Sequence, residues 1–433
     1  VFSVKVTGLP EHTSAGLTVT YGNWALQMLI TVSDRNKLLI FTRLNFARIL
    51  CTKLFRDRNI ADLTRSFSIS HLIIFLWGML QSITTNFALQ NVNGLKFTDT
   101  LNFLSKLKAR KVYNAASVTA SFYLSRLTRK PVQWGMPLNV SVEPTTSCNL
   151  HCPECPSGLK SFTRPTGSMQ NAFYKNTIDE IGDNLIYLYF YFQGEPYLNP
   201  QFLAMVKLAA DKGIYTVTST NAHFLTERKA RETVESGLDR ILISIDGATQ
   251  KTYEQYRIGG QLDKVIEGTK NLVRAKKGMK SQTPHIIFQF LVVKPNEHEI
   301  DAVKKLGQEL GVDEVKFKTA QVYDYEHGNE LIPTIDKYAR YAKQKNGTYR
   351  IKNELLNHCW KLWHSCVITW DGRVVPCCFD KDAKHQLGDL SNTSFSEIWR
   401  GDLYNSFRTN ILHSRSEIDI CTNCSEGTRV WAS

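Results

Sequence analysis

From residue 138 onward, short apolar runs alternate with stretches of helical periodicity. The runs Leu138–Glu143, Ile186–Phe192, Tyr215–Ser219, Ile241–Ile245, His285–Val293 and Glu314–Lys318 read as strands. Between them, apolar residues recur at helical spacing over Asn199–Lys212, Thr226–Ser236, Leu262–Lys277 and Glu299–Leu310. Such alternation predicts right-handed β-α-β units and a parallel sheet. Six units predict an α/β fold of the partial (β/α)6 TIM-like barrel kind, with the chemistry at the carboxyl ends of the strands.

The flanks differ in texture. Leu101, Leu104 and Leu107, then Val118, Phe122 and Leu127, predict two helices within 96–137 that lead into the barrel. Residues 1–95 give one persuasive helical pattern, Leu38 to Phe55, and are read as a poorly defined, mainly helical region. The longest apolar run, Ile69 to Leu80, carries His71 and falls short of the roughly 20 residues that cross a bilayer. No small-residue cleavage site stands where a secretory signal needs one, so a cytoplasmic location is expected. Beyond the sixth strand, Lys316 to Asn353 is a polar, tyrosine-bearing connector. The barrel domain is therefore drawn at 138–350 and a small, aromatic, cysteine-rich domain at 351–433. That last segment has so few helix or strand signals that it needs a staple.

Charge sharpens the division. The 433 residues carry a formal net charge of +13, yet residues 1–135 hold 17 Lys and Arg against 5 Asp and Glu, and the remainder is nearly balanced. A basic region can meet nucleic acid, an anionic membrane surface or an acidic partner. It offers no nucleic-acid fold signature, and Arg126, Arg129 and Lys130 sit at spacings that suit an exposed stripe. No nucleic-acid partner is expected, and contact with a membrane surface stays open.

Cysteine changes the picture most. Nine of the ten cysteines fall in two groups: Cys148, Cys152 and Cys155, then Cys359, Cys366, Cys377, Cys378, Cys421 and Cys424; Cys51 stands alone. Without a secretion signal, such clustering favours metal or cluster ligation over disulfides. Cys148-Asn-Leu-His-Cys152-Pro-Glu-Cys155 follows the first strand directly. Three thiolates on one loop can hold three irons of a four-iron cluster and leave the fourth open. The alternative is a zinc knot, but zinc prefers four protein ligands, and only His151 is at hand as the fourth.

Cys-x-x-x-Cys-x-x-Cys after the first strand of a β-α repeat resembles the radical S-adenosylmethionine superfamily. The resemblance implies that the cofactor's methionyl amino and carboxylate groups chelate the open iron. It also implies that electron transfer to the sulfonium yields a 5′-deoxyadenosyl radical. One departure is Glu154, where the family usually has an aromatic residue. Gln193-Gly194-Glu195-Pro196, after the second strand, resembles the family's Gly-Gly-Glu-Pro element, which meets the cofactor's amino group. Gln193 replaces the usual first glycine. Thr218-Ser219-Thr220-Asn221 and Ser244-Ile245-Asp246-Gly247 end the third and fourth strands and resemble stretches that reach the cofactor, which makes Ser219, Asn221 and Ser244 candidates. Helix and turn capping is the competing role for these polar residues. Arg257 is a candidate for a carboxylate of cofactor or substrate, or a surface residue. Lys316 and Lys318 share one face of the sixth strand: inward they suggest an anionic substrate group, and outward, the expected case, they are solvated.

The tail resembles the SPASM or twitch extension found behind many of these enzymes. The resemblance rests on Cys359, Gly372, the run Trp370-Asp371-Gly372-Arg373-Val374-Val375-Pro376-Cys377-Cys378, Gly388, Trp399 and the pair Cys421-Thr-Asn-Cys424. It implies an auxiliary four-iron cluster. Cys359, Cys377, Cys421 and Cys424 are the expected ligands, with Cys378 the substitute for Cys377 and Cys366 a spare. A zinc ribbon on the same pairs is the alternative.

The function expected from the resemblance is reductive cleavage of S-adenosylmethionine and hydrogen-atom abstraction from a substrate, for peptide modification or small-molecule dehydrogenation. A one-electron reductant such as a flavodoxin or ferredoxin is implied. Two other readings stay open: a zinc-stapled protein that recruits an anionic partner, and an iron–sulfur electron carrier that cleaves no cofactor.

Overall fold

The computed structural model describes residues 19–22, 25–28, 94–428 and 430. The chain divides into two compact units, Val1–Ile83 and Thr84–Ser433. In the first, β1 (Val19–Gly22) and β2 (Ala25–Met28) pair antiparallel, with Val19 opposite Met28. The helix expected over Leu38–Phe55, the run Ile69–Leu80 and Cys51 lie outside the described residues.

The second unit opens with the two predicted lead-in helices, α1 (Gly94–Ser105) and α2 (Ala109–Thr128). Six parallel strands then pair in chain order: β3 (Asn139–Val142), β4 (Tyr187–Phe190), β5 (Tyr215–Thr220), β6 (Arg240–Ser244), β7 (His285–Val292) and β8 (Glu314–Thr319). Helices α3 (Asn171–Ile181), α4 (Phe202–Asp211), α5 (Glu227–Glu235), α6 (Gln250–Tyr256), α7 (Leu262–Gly278) and α8 (Ile300–Leu310) alternate with them. This is the partial barrel that the alternation predicts. Helices α3 and α6 add to the predicted set. In α3, Tyr174, Ile178 and Ile181 share one buried face, but the polar residues between them, Asn176 and Thr177 among them, dilute the apolar period.

The period of two along each strand sorts side chains between core and lumen. Leu188 and Phe190 of β4 join the main core under the helices, whereas Tyr187 and Tyr189 face inward with Tyr215, Val217, Leu242 and Ile287. Helix α1 closes the amino end of the lumen. Its Phe103 stacks on Tyr187 with ring centroids 4.9 Å apart, and Asp99 accepts hydrogen bonds from Tyr215 and Arg240. Lys106 and Asn102 hold Asp239 at 2.5 and 2.8 Å. With that end plugged by α1, a substrate would enter from the carboxyl end.

The connector carries a small hairpin, β9 (Tyr341–Lys343) with β10 (Tyr349–Ile351). The tail then rejoins the barrel: β11 (Ser365–Ile368) pairs parallel with β3, Ser365 opposite Asn139. β12 (Arg373–Val375) and β13 (Gly388–Asp389) continue antiparallel, giving the order β13-β12-β11-β3-β4-β5-β6-β7-β8. Gly372 turns the β11–β12 hairpin at φ +94°, a conformation costly for any residue with a Cβ. Helix α9 (Phe395–Arg400) starts on a Ser394/Glu397 capping box worth about 1 kcal/mol, and α10 (Asp402–Ser414) follows. Trp363 and Trp399 are fully buried and donate their indole N–H groups to Val132 and Gly135 carbonyls, both at 3.0 Å. The tail is thus bonded to the sheet and to the segment that leads into it. Among the described residues, no helix is long and apolar enough to cross a membrane.

Candidate active site

The loop that follows β3 carries Cys148, Cys152 and Cys155, and backbone hydrogen bonds fix it at several points. The Glu195 N–H donates to the Ser147 carbonyl at 2.8 Å, and the His151 N–H donates to the Ile258 carbonyl at 2.9 Å. Leu150 is buried between the cysteines. A Cβ on Gly158 would stand 2.5 Å from the Cys152 nitrogen, so only glycine lets the turn Pro156–Leu159 lie against the loop. Further on, Arg164 forms a fully buried two-point pair with Glu143 at 2.5 and 2.9 Å, pinning the returning chain to the end of β3.

The three thiols line one cavity of about 150 Å³ at the carboxyl ends of β3 to β6. Gly194, Glu195, Ser219, Asn221, Ser244 and Arg257 line it too, so residues from four separate loops and strand ends converge. Gln193 and Pro196 are buried beside it and do not line it; the Gln193 Oε1 lies 3.9 Å from the Cys155 thiol. Sequence reasoning did not single out Ser157, Tyr191 and Phe192, which also line the cavity. Ser157 accepts the Gly194 N–H at 2.9 Å, and the two aromatic residues, read from the sequence as the last of the strand Ile186–Phe192, lie just past β4, which ends at Phe190.

Glu195 is buried, and its carboxylate accepts from Thr220 Oγ1 at 2.7 Å, from the Asn221 N–H at 2.7 Å and from the Tyr197 N–H at 3.3 Å. Burial nonetheless pushes its carboxyl up to about 7, because three hydrogen bonds repay only part of the lost hydration. Asn221 Nδ2 donates to Asn149 Oδ1 at 2.8 Å and lies 4.0 Å from the Cys148 sulfur. Arg257 is held by Asp246 at 2.5 Å and directs Nη1 to the Cys152 sulfur at 3.7 Å. Glu154, the departure from the expected aromatic residue, accepts the Tyr323 N–H at 2.9 Å. Burial pushes the Cys148 thiol up to about 11 and raises Cys152 as well. Thiolates at such positions need a cationic partner, which is the character an iron cluster has. Among the described residues, no three His, Cys, Asp or Glu side chains converge closely enough for a single metal ion.

A second, smaller cavity of about 20 Å³ lies in the tail and is lined by Cys359, Cys377, Cys421 and Cys424. Its other walls are mostly apolar, among them Leu362, Phe379, Phe407 and Ile411. Arg415 closes one side: Nη2 lies 3.6 Å from the Cys424 sulfur, and Nη1 donates to the His358 carbonyl at 2.8 Å. The Glu426 N–H points at the same sulfur, at 3.3 Å. At Gly427, φ is +79° and a Cβ would stand 2.3 Å from the Cys359 sulfur, so glycine alone fits beside that thiol. Here too burial raises the thiols, Cys421 to about 11 and Cys424 to about 12. Cys378 does not line the cavity; it is exposed, 3.9 Å from the Lys361 ammonium. Cys366 is buried in β11, apart from both cavities.

Comparison with known proteins agrees with this geometry. Residues 142–317 match the model of the Radical SAM superfamily, and residues 359–425 match that of SPASM, an iron-sulfur cluster-binding domain. A curated relative in Pyrococcus furiosus, the tungsten-containing aldehyde ferredoxin oxidoreductase cofactor-modifying protein, is 26% identical over 314 residues, 66% of this chain and 86% of its own. The AdoMet-dependent heme synthase of Methanosarcina barkeri is 28% identical over 299 residues, 61% of this chain and 82% of its own. Among solved structures, Streptococcus suis SuiB bound to S-adenosylmethionine shares the fold with a TM-score of 0.50 at 14% identity, covering 67% of this chain and 73% of that one. The first matched domain implies a four-iron cluster and S-adenosylmethionine, and the second an auxiliary iron–sulfur cluster.

Proposed function

Because this chain belongs to the radical S-adenosylmethionine superfamily and carries a SPASM iron–sulfur domain behind its barrel, we propose that it cleaves S-adenosylmethionine reductively and takes a hydrogen atom from a substrate held in the lumen. The observation that carries this reading is the convergence of Cys148, Cys152, Cys155 and the Glu195 carboxylate on one cavity at the carboxyl ends of the strands. Bound there, the cluster and its cofactor supply the electron and the carbon radical.

The chain's own residues bind, orient and shield. Three thiolates leave one iron of a four-iron cluster open. Glu195 and the backbone of Gly194 meet the cofactor's amino group, and Ser219, Asn221 and Ser244 reach its polar edge. Tyr191 and Phe192 offer the apolar wall that Glu154 does not. Arg257 donates to the Cys152 sulfur, a position from which it stabilises a ligated thiolate. Cys359, Cys377, Cys421 and Cys424 would hold an auxiliary cluster, which would supply an electron acceptor or a docking point beside the substrate. An external one-electron donor of the ferredoxin or flavodoxin kind reduces the first cluster. The substrate is a peptide or a small polar molecule; the two curated relatives are a cofactor-modifying protein and a heme synthase.

Anaerobically reconstituted protein with dithionite and S-adenosylmethionine is expected to release 5′-deoxyadenosine, and Cys148→Ala to abolish release. Protein that binds S-adenosylmethionine and never releases the nucleoside under strong reduction would overturn the proposal in favour of an electron carrier.

A further inference from the structure

The lumen beyond the first cavity carries more positive charge than that cavity uses. β8 turns Phe317 outward, against Phe290 at 5.7 Å between centroids and beneath the Lys304 ammonium. Lys316 and Lys318 therefore project from the opposite, lumenal face rather than outward, though both are exposed, as solvated lysines are expected to be. Both keep access to solvent, because the sheet leaves β8 as an open edge. Around Lys318 stand Glu426, Cys378, Lys361 and Arg340. Lys381, set over the Tyr323 ring at 4.7 Å, faces Cys155, Cys378, Glu154 and Arg340. These residues span the space between the two thiol-lined cavities, since Cys155 belongs to one and Lys361 to the other.

Acids do not balance the group. Glu426 is committed to Lys361 at 2.6 Å, which leaves Glu154 against Lys318, Arg340 and Lys381. Arg340 is the most telling member. One of its nitrogens, Nη2, reaches the Thr319 carbonyl at 3.5 Å, while Nε and Nη1 are shut off from water with no hydrogen-bond partner. Those two N–H groups point from opposite edges of the guanidinium, so each offers a single hydrogen bond to an anionic oxygen. Burial, with Arg340 nearby, pulls Lys381 below the usual lysine range. An incoming anion would relieve that crowding.

We propose that Lys318, Arg340 and Lys381 form an oxyanion-recognition subsite that holds a carboxylate- or phosphate-bearing substrate in the lumen between the two clusters. The inference rests on the function proposed above, whose substrate it narrows to anions.

The test is calorimetric titration of the anaerobically reconstituted full chain, without reductant, at constant ionic strength. Tricarballylate and inorganic phosphate are the probes, and the neutral tricarballylamide is the control. Saturable binding of tricarballylate, weakened at least tenfold in both Arg340→Gln and Lys318→Gln and less in Arg340→Lys, supports a carboxylate site. The same pattern for phosphate alone supports a phosphate site. Iron content verifies that each variant is folded, and Lys381→Gln carries the same comparison where one is not. Binding of the anions no tighter than the amide, or binding that the variants leave unchanged, overturns the inference. Because the titration needs no cofactor cleavage, protein that releases 5′-deoxyadenosine yet ignores both anions loses this inference alone. Protein that binds them without releasing the nucleoside loses the function and keeps the site.

Discussion

Gly194 is where backbone geometry and the proposed cofactor meet. Its φ of +73° already disfavours a Cβ, and that Cβ would stand 2.2 Å from the Thr145 carbonyl oxygen. Gly194→Ala is expected to cost about 1–3 kcal/mol of stability through strain and to weaken S-adenosylmethionine binding as Glu195 is displaced, checked by thermal unfolding and equilibrium dialysis. Glu195 itself predicts a pH dependence. Its carboxyl is raised to about 7 by burial, so in cofactor-free protein it gains a proton as pH falls below 7. The proton must leave for the carboxylate to accept from the cofactor's amino group. Binding should therefore tighten as pH rises from 6 to 8, and Glu195→Gln should flatten that slope. The raised pKa has the opposite sign for folding: it withdraws stability as pH climbs from the ordinary carboxylate range toward 7. The residues that make this site were legible in the chain where chemistry forces spacing, as in Cys148, Cys152, Cys155 and Glu195. Ser157 was not, because a serine in a turn carries no spacing of its own, and Tyr191 and Phe192 read as the last residues of the strand Ile186–Phe192 rather than as cavity walls. The turn after β12 puts Cys377, the expected ligand, on the cavity and leaves its neighbour Cys378, the named substitute, exposed.

At the scale of elements, periodicity carried the barrel, because six strands with apolar outer faces each need a helix to cover them. It said less about β8. There only Val315 and Phe317 mark the core face, and alternation alone assigns two faces without saying which one the barrel encloses. The loop after the cysteine motif shows how a buried pair sets an element's place. Glu143 at the end of β3 and Arg164 on the returning chain are both buried; Thr163 and Arg164 also reach Asp382 and the Lys381 carbonyl of the tail. Removing one partner strands a charge, so Arg164→Met is expected to cost about 3–5 kcal/mol and to loosen the cysteine loop. Urea unfolding together with iron retention checks it. The double variant Glu143→Leu/Arg164→Met should recover much of the stability, since replacing both partners removes the stranded charge.

The whole molecule is less modular than its cysteine groups suggest. A tail with few local signals reads as a stapled appendage, yet β11 extends the parallel sheet beside β3, and Trp363 and Trp399 bury against the segment before β3. The missing signal is physical: β11 and β12 are four and three residues long, and their stability comes from pairing with strands distant in sequence. A chain ending before residue 359 would strip β3 of its neighbour and expose the core there. It is expected to aggregate or to lose the first cluster as well as the second, seen by size-exclusion chromatography and iron assay. The helical reading of the first 95 residues lies outside the described residues, apart from the β1–β2 hairpin and the start of α1. The proposed chemistry stands on two separate thiol sets, one in the loop after β3 and one in the tail, each holding one cluster. Iron and sulfide content with electron paramagnetic resonance, on anaerobically purified protein beside a Cys148/Cys152/Cys155 triple alanine variant, tests it most directly. The claim predicts about eight irons per chain falling to about four in the variant, from the four-iron stoichiometry of each site. Four irons in the wild type and none in the variant, with stoichiometric zinc in both, would contradict it and leave the tail as a zinc module.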